Sequence, residues 1–380
     1  MVAGATSDGF FDARRYAHVV VIPDVHGDKD AFIKSLWLAH AQIDHPVIAY
    51  STFENRFVEA ITEGVGRHRM LTNRPDVAMV QLGDLIDRGP YGAECLMIAG
   101  VISDVLGWEV AQLYGNHEIM GFLNKGEQYA HPRDFGGILG RRATLGFGSE
   151  LAESMKDYFL GMAVLADASP DSSVNTLFVH GGVDLDWLGG VSGDSSFVEV
   201  INDRIETLTK TREGLAHINL MDSILWTRDL ANEPDDVVCG LMVDQILTHF
   251  DVARIVLGHT PQDGLVRSRC DGKIILADVK MSRWMTSADV DESRPSGGNP
   301  VALVFRLDGG DLTTIDAVYG EVGSDAFMEE NLHTTPVEER PPGIPFSMLL
   351  DAANAQHTPD VPPGMRLLME AAFAHEAMQV

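Results

Sequence analysis

Cysteine is scarce in this chain of 380 residues: Cys95, Cys239 and Cys270 are widely spaced and include no CxxC pair. No disulfide framework and no thiolate zinc site is therefore expected, and a reducing compartment fits best. Basic residues are scarce too, 28 Lys and Arg against 56 Asp and Glu, for a formal net charge of -28. A general nucleic-acid or anionic-membrane surface needs clustered Lys and Arg, so neither partner is expected. No window approaches ~18 consecutive apolar residues, which argues against a membrane span. Met1–Tyr16 carries Asp8 and Asp12 and lacks a sustained apolar run, so it does not read as a signal peptide. Repeats and low-complexity tracts are also missing. The expectation is a soluble, cytoplasmic protein whose oligomeric state is open. An acidic chain that handles an anionic substrate must reverse the field locally, with arginines or metal ions.

What is present is a recurring pattern. Short apolar, β-branched runs end abruptly at turns holding Gly or Pro and a cluster of polar residues. His18–Ile22 precedes Pro23-Asp24-Val25-His26-Gly27, Val77–Leu82 precedes Gly83-Asp84, and Val110–Tyr114 precedes Gly115-Asn116-His117-Glu118. Thr176–Val179 leads to His180-Gly181-Gly182, Arg254–Leu257 to Gly258-His259-Thr260, and Lys273–Ala277 to Asp278. Runs of this length read as buried strands. Helical segments alternate with them at Asp30–His40, Phe197–Leu208 and Leu241–Phe250, which predicts an α/β layered domain. Stretches 44–74, 124–148 and 184–224 read as inserts. Pro336–Pro345 marks a boundary, giving a catalytic domain over 1–335 and a linker with a C-terminal extension, packed on that domain, over 336–380.

Each polar turn alone has a plain structural reading. Asp-x-His-Gly is a capped turn, a lone histidine is a satisfied one, and the two carboxylates and arginine of Gly83–Gly89 can pair among themselves. The sum is different. Five strand ends present Asp24, His26, Asp84, Asn116, His180 and His259, and carboxylate, imidazole and amide oxygen suit first-row divalent metals.

The ordered set Asp-x-His-Gly, Gly-Asp-x-x-Asp-Arg-Gly, Gly-Asn-His-Glu, His-Gly-Gly, Gly-His-Thr resembles the phosphoprotein phosphatases of the calcineurin-like metallophosphoesterase fold. The resemblance spans roughly Val19 to Met281. Leu225-Trp226-Thr227-Arg228-Asp229, Gly258-His259-Thr260-Pro261-Gln262 and, more loosely, Arg141-Arg142 are similar to the Shewanella-like phosphatases of that family. The resemblance implies a central β-sandwich flanked by helices, with the metals at the carboxyl ends of the strands. It implies that Asp24 and His26 bind one ion, that Asp84 bridges, and that Asn116, His180 and His259 complete the second. The pair is Mn, Fe or Zn. A hydroxide held between the ions attacks phosphorus directly, with no covalent phosphoenzyme. His117 protonates the leaving oxygen, Asp87 orients His117, and Arg88 and Arg228 grip the phosphate.

Two residues depart from the family pattern: Pro23 and Lys280 stand where relatives have Gly. The substrate implied is a phosphoprotein or phosphopeptide, with phosphotyrosine and phosphoserine/threonine both open. A dinucleoside polyphosphate hydrolase of the ApaH-like type is the alternative, although Asp87 and Arg88 are intact. A non-catalytic scaffold is a weaker one, since all six ligands and His117 remain. A cysteine-based phosphatase is rejected, because Val101, Gln245 and Leu276 stand where its arginine must follow each cysteine.

Overall fold

The β-branched runs pair into two sheets in a computed structural model that describes residues 9–44, 47–63, 71–167, 172–189, 197–221, 223–285, 299–321, 325 and 327–334. The first strands are β1 (Phe10–Asp12), β2 (His18–Ile22), β3 (Val77–Gln81), β4 (Glu109–Leu113), β5 (Phe159–Leu160), β6 (Met162–Ala166) and β7 (Thr176–Val179). They are followed by β8 (Arg254–Leu257), β9 (Arg267–Arg269), β10 (Ile274–Leu276), β11 (Val301–Asp308), β12 (Asp311–Gly320) and β13 (Phe327–Thr334). The helices begin with α1 (Lys29–Ile43), α2 (Tyr50–Glu63), α3 (Gly92–Leu106), α4 (Asn116–Phe122), α5 (Ile138–Leu145) and α6 (Glu150–Lys156). Then come α7 (Leu185–Leu188), α8 (Phe197–Thr209), α9 (Arg212–Ile218), α10 (Asp229–Asn232) and α11 (Asp236–Phe250).

One sheet has six strands in the order β1-β6-β7-β8-β10-β9, the other seven in the order β13-β12-β11-β2-β3-β4-β5. In the larger sheet β2, β3, β4 and β5 run parallel, with His18 opposite Val77 and Ile22 opposite Gln81. Strands covered on both faces become continuous apolar runs, which is why these segments show no alternation. The sheets face one another: the rings of Phe178 on β7 and Phe305 on β11 meet edge-on at 5.8 Å. Helix α1 packs on β11 and β12, α3 on β4, and α8 on β6, so helices flank the sandwich. The fold is the α/β sandwich that the alternation and the motif order imply.

The antiparallel meander β11-β12-β13, with irregular register at Arg306/Leu307 and Ile315/Asp316, did not stand out in the sequence. Of the stretches read as inserts, 44–74 holds α2, 124–148 holds two short 3-10 turns and α5, and 184–224 holds α7, α8 and α9. The 336–380 extension lies outside the described residues. No helix among the described residues is long and apolar enough to cross a membrane.

The cysteine reading needs one correction. Cys239 of α11 and Cys270, in the turn between β9 and β10, form a disulfide across a sequence separation of 31. A single pair has no spacing signature, and packing alone brings the two together; Lys273 and Asp244 pair across the same contact at 2.6 Å. Cys95 is buried and free. A thiol titration in denaturant is expected to find one reactive group before reduction and three after it. Three before reduction would remove the bridge.

Candidate active site

The motif turns follow strands of both sheets. Asp24 and His26 follow β2, Asp84 to Arg88 follow β3, and Asn116 and His117 follow β4; from the other sheet, His180 follows β7, His259 follows β8 and Asp278 follows β10. The first two turns interlock through their backbones. The carbonyl of Asp84 accepts the N–H groups of Val25 and His26 at 3.0 and 2.9 Å, and that of Leu85 accepts Gly27 N–H at 2.9 Å. Gly27 and Gly89 are glycines because their main chains touch: a Cβ on Gly89 would lie 2.3 Å from the Gly27 carbonyl oxygen. Five of the expected site residues, His26, Asp84, Asp87, Arg88 and His259, have φ between 49° and 67°. A non-glycine residue enters that left-handed region at a cost, and surrounding bonds must hold it there.

Glu118 supplies much of that hold. Its buried carboxylate accepts four backbone N–H groups, from Gly115 at 2.9 Å, Asp84 at 3.0 Å, Leu85 at 2.9 Å and Ile86 at 3.3 Å. It buckles the turn after β3 to the turn after β4. Burial alone raises its pKa, and the four donors oppose that rise.

Three imidazoles are fixed by backbone carbonyls, which can only accept. His26 donates Nδ1–H to Ile86 O at 3.4 Å, His180 donates Nδ1–H to Leu82 O at 2.8 Å, and His259 donates Nε2–H to Trp226 O at 3.2 Å. Each neutral ring is left with its other nitrogen as a bare lone pair. Two of those lone pairs face oxygen atoms. His26 Nε2 faces Asp84 Oδ2 at 3.6 Å, and His180 Nε2 faces Asp84 Oδ1 at 3.5 Å and Asn116 Oδ1 at 3.0 Å. Lone pairs turned on carboxylate oxygens repel unless a cation lies between them. Burial pushes His180 down to about 3, so protonation is no remedy.

The carboxylates say the same. Asp24, Asp84 and Asp278 are each at most 2% exposed. Burial raises all three pKa values, Asp278 to about 6, and the negative charge of Asp278 raises Asp24 and Asp84 further. Asp24 Oδ1 accepts the N–H of His259 at 2.9 Å, but Asp24 Oδ2 and Asp278 Oδ2 are buried with no partner. His26, Asp84 and His117 can place ligand atoms within 4.8 Å of one another, and so can Asp84, His180 and His259. Asp84 belongs to both groups. This donor set, with orphaned anionic oxygens and lone pairs converging on one carboxylate, fits a pair of divalent cations.

Beside the cradle lies a second network. His117 Nδ1 donates to Asp87 Oδ2 at 2.8 Å, and its Nε2 stands 3.9 Å from Asp84 Oδ2. Burial lowers the pKa of His117, and Arg88, Arg141 and Arg228 lower it further. Arg88 lies with its guanidinium over the Tyr129 ring at 4.4 Å, and its Nε is buried without a partner. Tyr129 also packs against His117 at 5.2 Å. Arg228 opens α10, near enough for its charge to act on His117, His180, His259 and Asp278. The structure thus brings together Asp24, His26, Asp84, Asp87, Arg88, Asn116, His117, His180, Arg228 and His259.

Sequence reasoning missed four contributors. Asp278 ends a recognised strand, but its motif matched no ligand pattern. Glu118 was quoted and left without a role. Tyr129 comes from the 124–148 insert, where no local signal marks it, and Arg141 of the same insert was quoted for its likeness to the Shewanella-like phosphatases but given no role. Lys280 takes φ 56°, the conformation for which glycine is suited, and its Nζ reaches Asp263 at 3.4 Å.

A family model described as calcineurin-like phosphoesterase matches residues 17–263. An uncharacterized protein of Schizosaccharomyces pombe is 24% identical over 288 residues, 71% of this chain and 82% of that protein. Shewanella-like protein phosphatase 2 of Arabidopsis thaliana is 24% identical over 284 residues, 64% of this chain and 70% of that protein. In fold, the chain is similar to a cold-active protein-tyrosine phosphatase of a psychrophilic Shewanella, with a TM-score of 0.54 at 20% identity over 87% of this chain and 84% of that one.

Glu118→Gln keeps the size of the buckle and removes its charge. Loss of a charged acceptor facing four N–H groups is expected to lower the stability of the metal-free protein by about 2 kcal/mol. Urea unfolding measures this, and an unchanged midpoint would deny Glu118 the role.

Proposed function

The chain belongs to the calcineurin-like phosphoesterase family, and from that membership we propose a protein phosphatase that releases phosphate from phosphotyrosine or phosphoserine/threonine in a protein or peptide. At the coarser level it is a metal-dependent phosphoester hydrolase. The observation that carries the finer reading is the intact His117–Asp87 pair, set between the carboxylate–imidazole cradle and Arg88. The Arabidopsis relative, named a protein phosphatase, supports the same substrate class.

Asp24 and His26 would hold one ion, Asp84 would lie between the two, and Asn116, His180 and His259 would hold the other. The carbonyl bonds above leave Nε2 of His26 and His180 and Nδ1 of His259 for this task. Bound there, two divalent ions (Mn, Fe or Zn) supply Lewis acidity toward the phosphate and make a water nucleophilic near neutral pH. The protein supplies the rest. Arg88 and Arg228 bind phosphate oxygens, because a guanidinium fork matches them and stays charged. The Tyr129 ring supports the Arg88 guanidinium from one side. His117 Nε2 delivers a proton to the departing oxygen, while Asp87 at Nδ1 stabilises the imidazolium. Burial and three arginines disfavour that cation, so the arriving phosphate dianion supplies part of its counter-charge.

The test is an activity panel of phosphotyrosyl peptide, phosphoseryl peptide and diadenosine tetraphosphate with manganese added. Preferential cleavage of the third would replace the protein phosphatase with the dinucleotide hydrolase. Metal analysis is expected to find two divalent ions per chain. None, with no aryl phosphate hydrolysis after adding manganese, would sink the reading. His117→Asn is expected to slow turnover by roughly 10²–10⁴-fold with metal content retained. Loss of metal would instead make His117 a ligand, as its distance from Asp84 permits. Arg228→Ala is expected to raise KM and lower kcat together, since it holds charge in both ground and transition states.

A further inference from the structure

Arg141 and Arg142 are neighbours on α5 and face opposite ways. Arg142 points outward, half exposed, and pairs with Glu127. Arg141 is 1% exposed and points inward. Its Nε donates to Asp87 Oδ1 at 3.0 Å and its Nη2 to Asp87 Oδ2 at 2.8 Å, a two-pronged pair, while Nη1 donates to the Lys125 carbonyl at 3.1 Å. The same Asp87 Oδ2 accepts His117 Nδ1–H at 2.8 Å. The three side chains form one buried line from the insert to the reacting centre.

The pair settles two properties of Asp87. A two-pronged guanidinium fixes the plane of a carboxylate, and so decides which oxygen, at which angle, meets the imidazole. It also supplies the positive charge a buried carboxylate needs. Burial lifts Asp87 to about 6, and Arg141 is the leading influence in the opposite direction. A carboxyl group that took up a proton, or rotated, would no longer steady a cationic imidazole.

We propose that Arg141 is a positioning residue for proton delivery: acting through Asp87, it sets the orientation and counter-charge of His117. The inference rests on the reading of His117 as the proton donor. Arg141 touches no substrate, so its effect depends on how much the reaction needs a proton. An aryl phosphate with an acidic phenol can expel its phenoxide unaided. One with a basic phenol cannot, because the P–O bond breaks with the electron pair passing to an oxygen that must gain the proton from His117 Nε2.

The experiment is a series of aryl phosphates graded in leaving-group acidity, from p-nitrophenyl to unsubstituted phenyl phosphate. Turnover and metal content are measured for the metal-loaded protein and for Arg141→Gln, Arg141→Lys, Asp87→Asn, His117→Asn, the double variant Asp87→Asn/Arg141→Gln, and Arg142→Gln as a surface control. Arg141→Gln is expected to slow the phenyl ester roughly tenfold or more beyond its effect on the p-nitrophenyl ester, with two metals retained. Arg141→Lys should fall between, having a charge without the fork. The double variant should be no steeper than Asp87→Asn alone, and Arg142→Gln should follow the parent.

An equal slowing across the series, or an Arg141 effect undiminished in the Asp87→Asn background, would reduce Arg141 to an anchor for the insert. If His117→Asn is itself flat, the proton-donor reading fails and this inference falls with it. If His117→Asn is steep while Arg141→Gln is flat, this inference alone fails. Should Arg141→Gln not fold, Arg141→Lys and the double variant, which leaves no orphaned charge, decide the matter.

Discussion

Negative charge buried beyond the reach of water is the constraint on which this structure turns. Asp24, Asp84, Asp87, Glu118 and Asp278 are all nearly inaccessible and stand within one small volume. An unpaired carboxylate in such surroundings either neutralises or finds a counter-charge. The protein answers in three ways. Glu118 is satisfied by backbone N–H groups and Asp87 by the Arg141 fork, while among the described residues no Lys or Arg pairs with Asp24, Asp84 or Asp278, and Arg228 reaches Asp278 only through its field. The asymmetry is informative. Glu118 and Asp87 are compensated by protein groups, whereas the uncompensated carboxylates are the ones whose donor set fits divalent cations.

The arginines complete the same balance. A chain with a formal charge of -28 meets an anionic substrate only where its own field is inverted. Arg88, Arg141 and Arg228 all bear on His117, but their placements differ. Arg141 is closed off behind Asp87. Arg88 is half-buried on the Tyr129 ring, with a nitrogen still unpartnered. Arg228 sits at the start of a short helix. Arg141 is taken up inside the protein, and the other two are the ones proposed to meet phosphate.

Much of the site could be read from the sequence because its parts are local. A strand that stops at a glycine turn and offers a carboxylate or imidazole is visible in a handful of letters, and Asp24, His26, Asp84, Asn116, His180 and His259 all announce themselves this way. The central parallel strands were equally plain, since burial on both faces makes them unbroken apolar runs. What stayed hidden depends on distance. The Cys239–Cys270 bridge exists only because α11 meets a turn 31 positions on. Arg141 was quoted for a loose family likeness, but what it does shows only when its partner, 54 positions earlier, is seen. The meander from β11 to β13 ends in none of the motif turns and has irregular register at two places, so nothing in its letters marked it out. Asp278 matches none of the quoted motifs, although the pairing of β10 with β8 brings it beside the turn that carries His259.

The cradle draws its walls from both sheets, β2, β3 and β4 on one side and β7, β8 and β10 on the other. At this end the chain passes directly from β5 of one sheet to β6 of the other through Gly161, an edge tie that still leaves the packed apolar interface room for a small slip along its plane. Ions seated there would act as rivets across the seam. Loading would then stiffen the whole sandwich against shear, and a substitution deep in one sheet would be felt as altered affinity for metal held largely by the other.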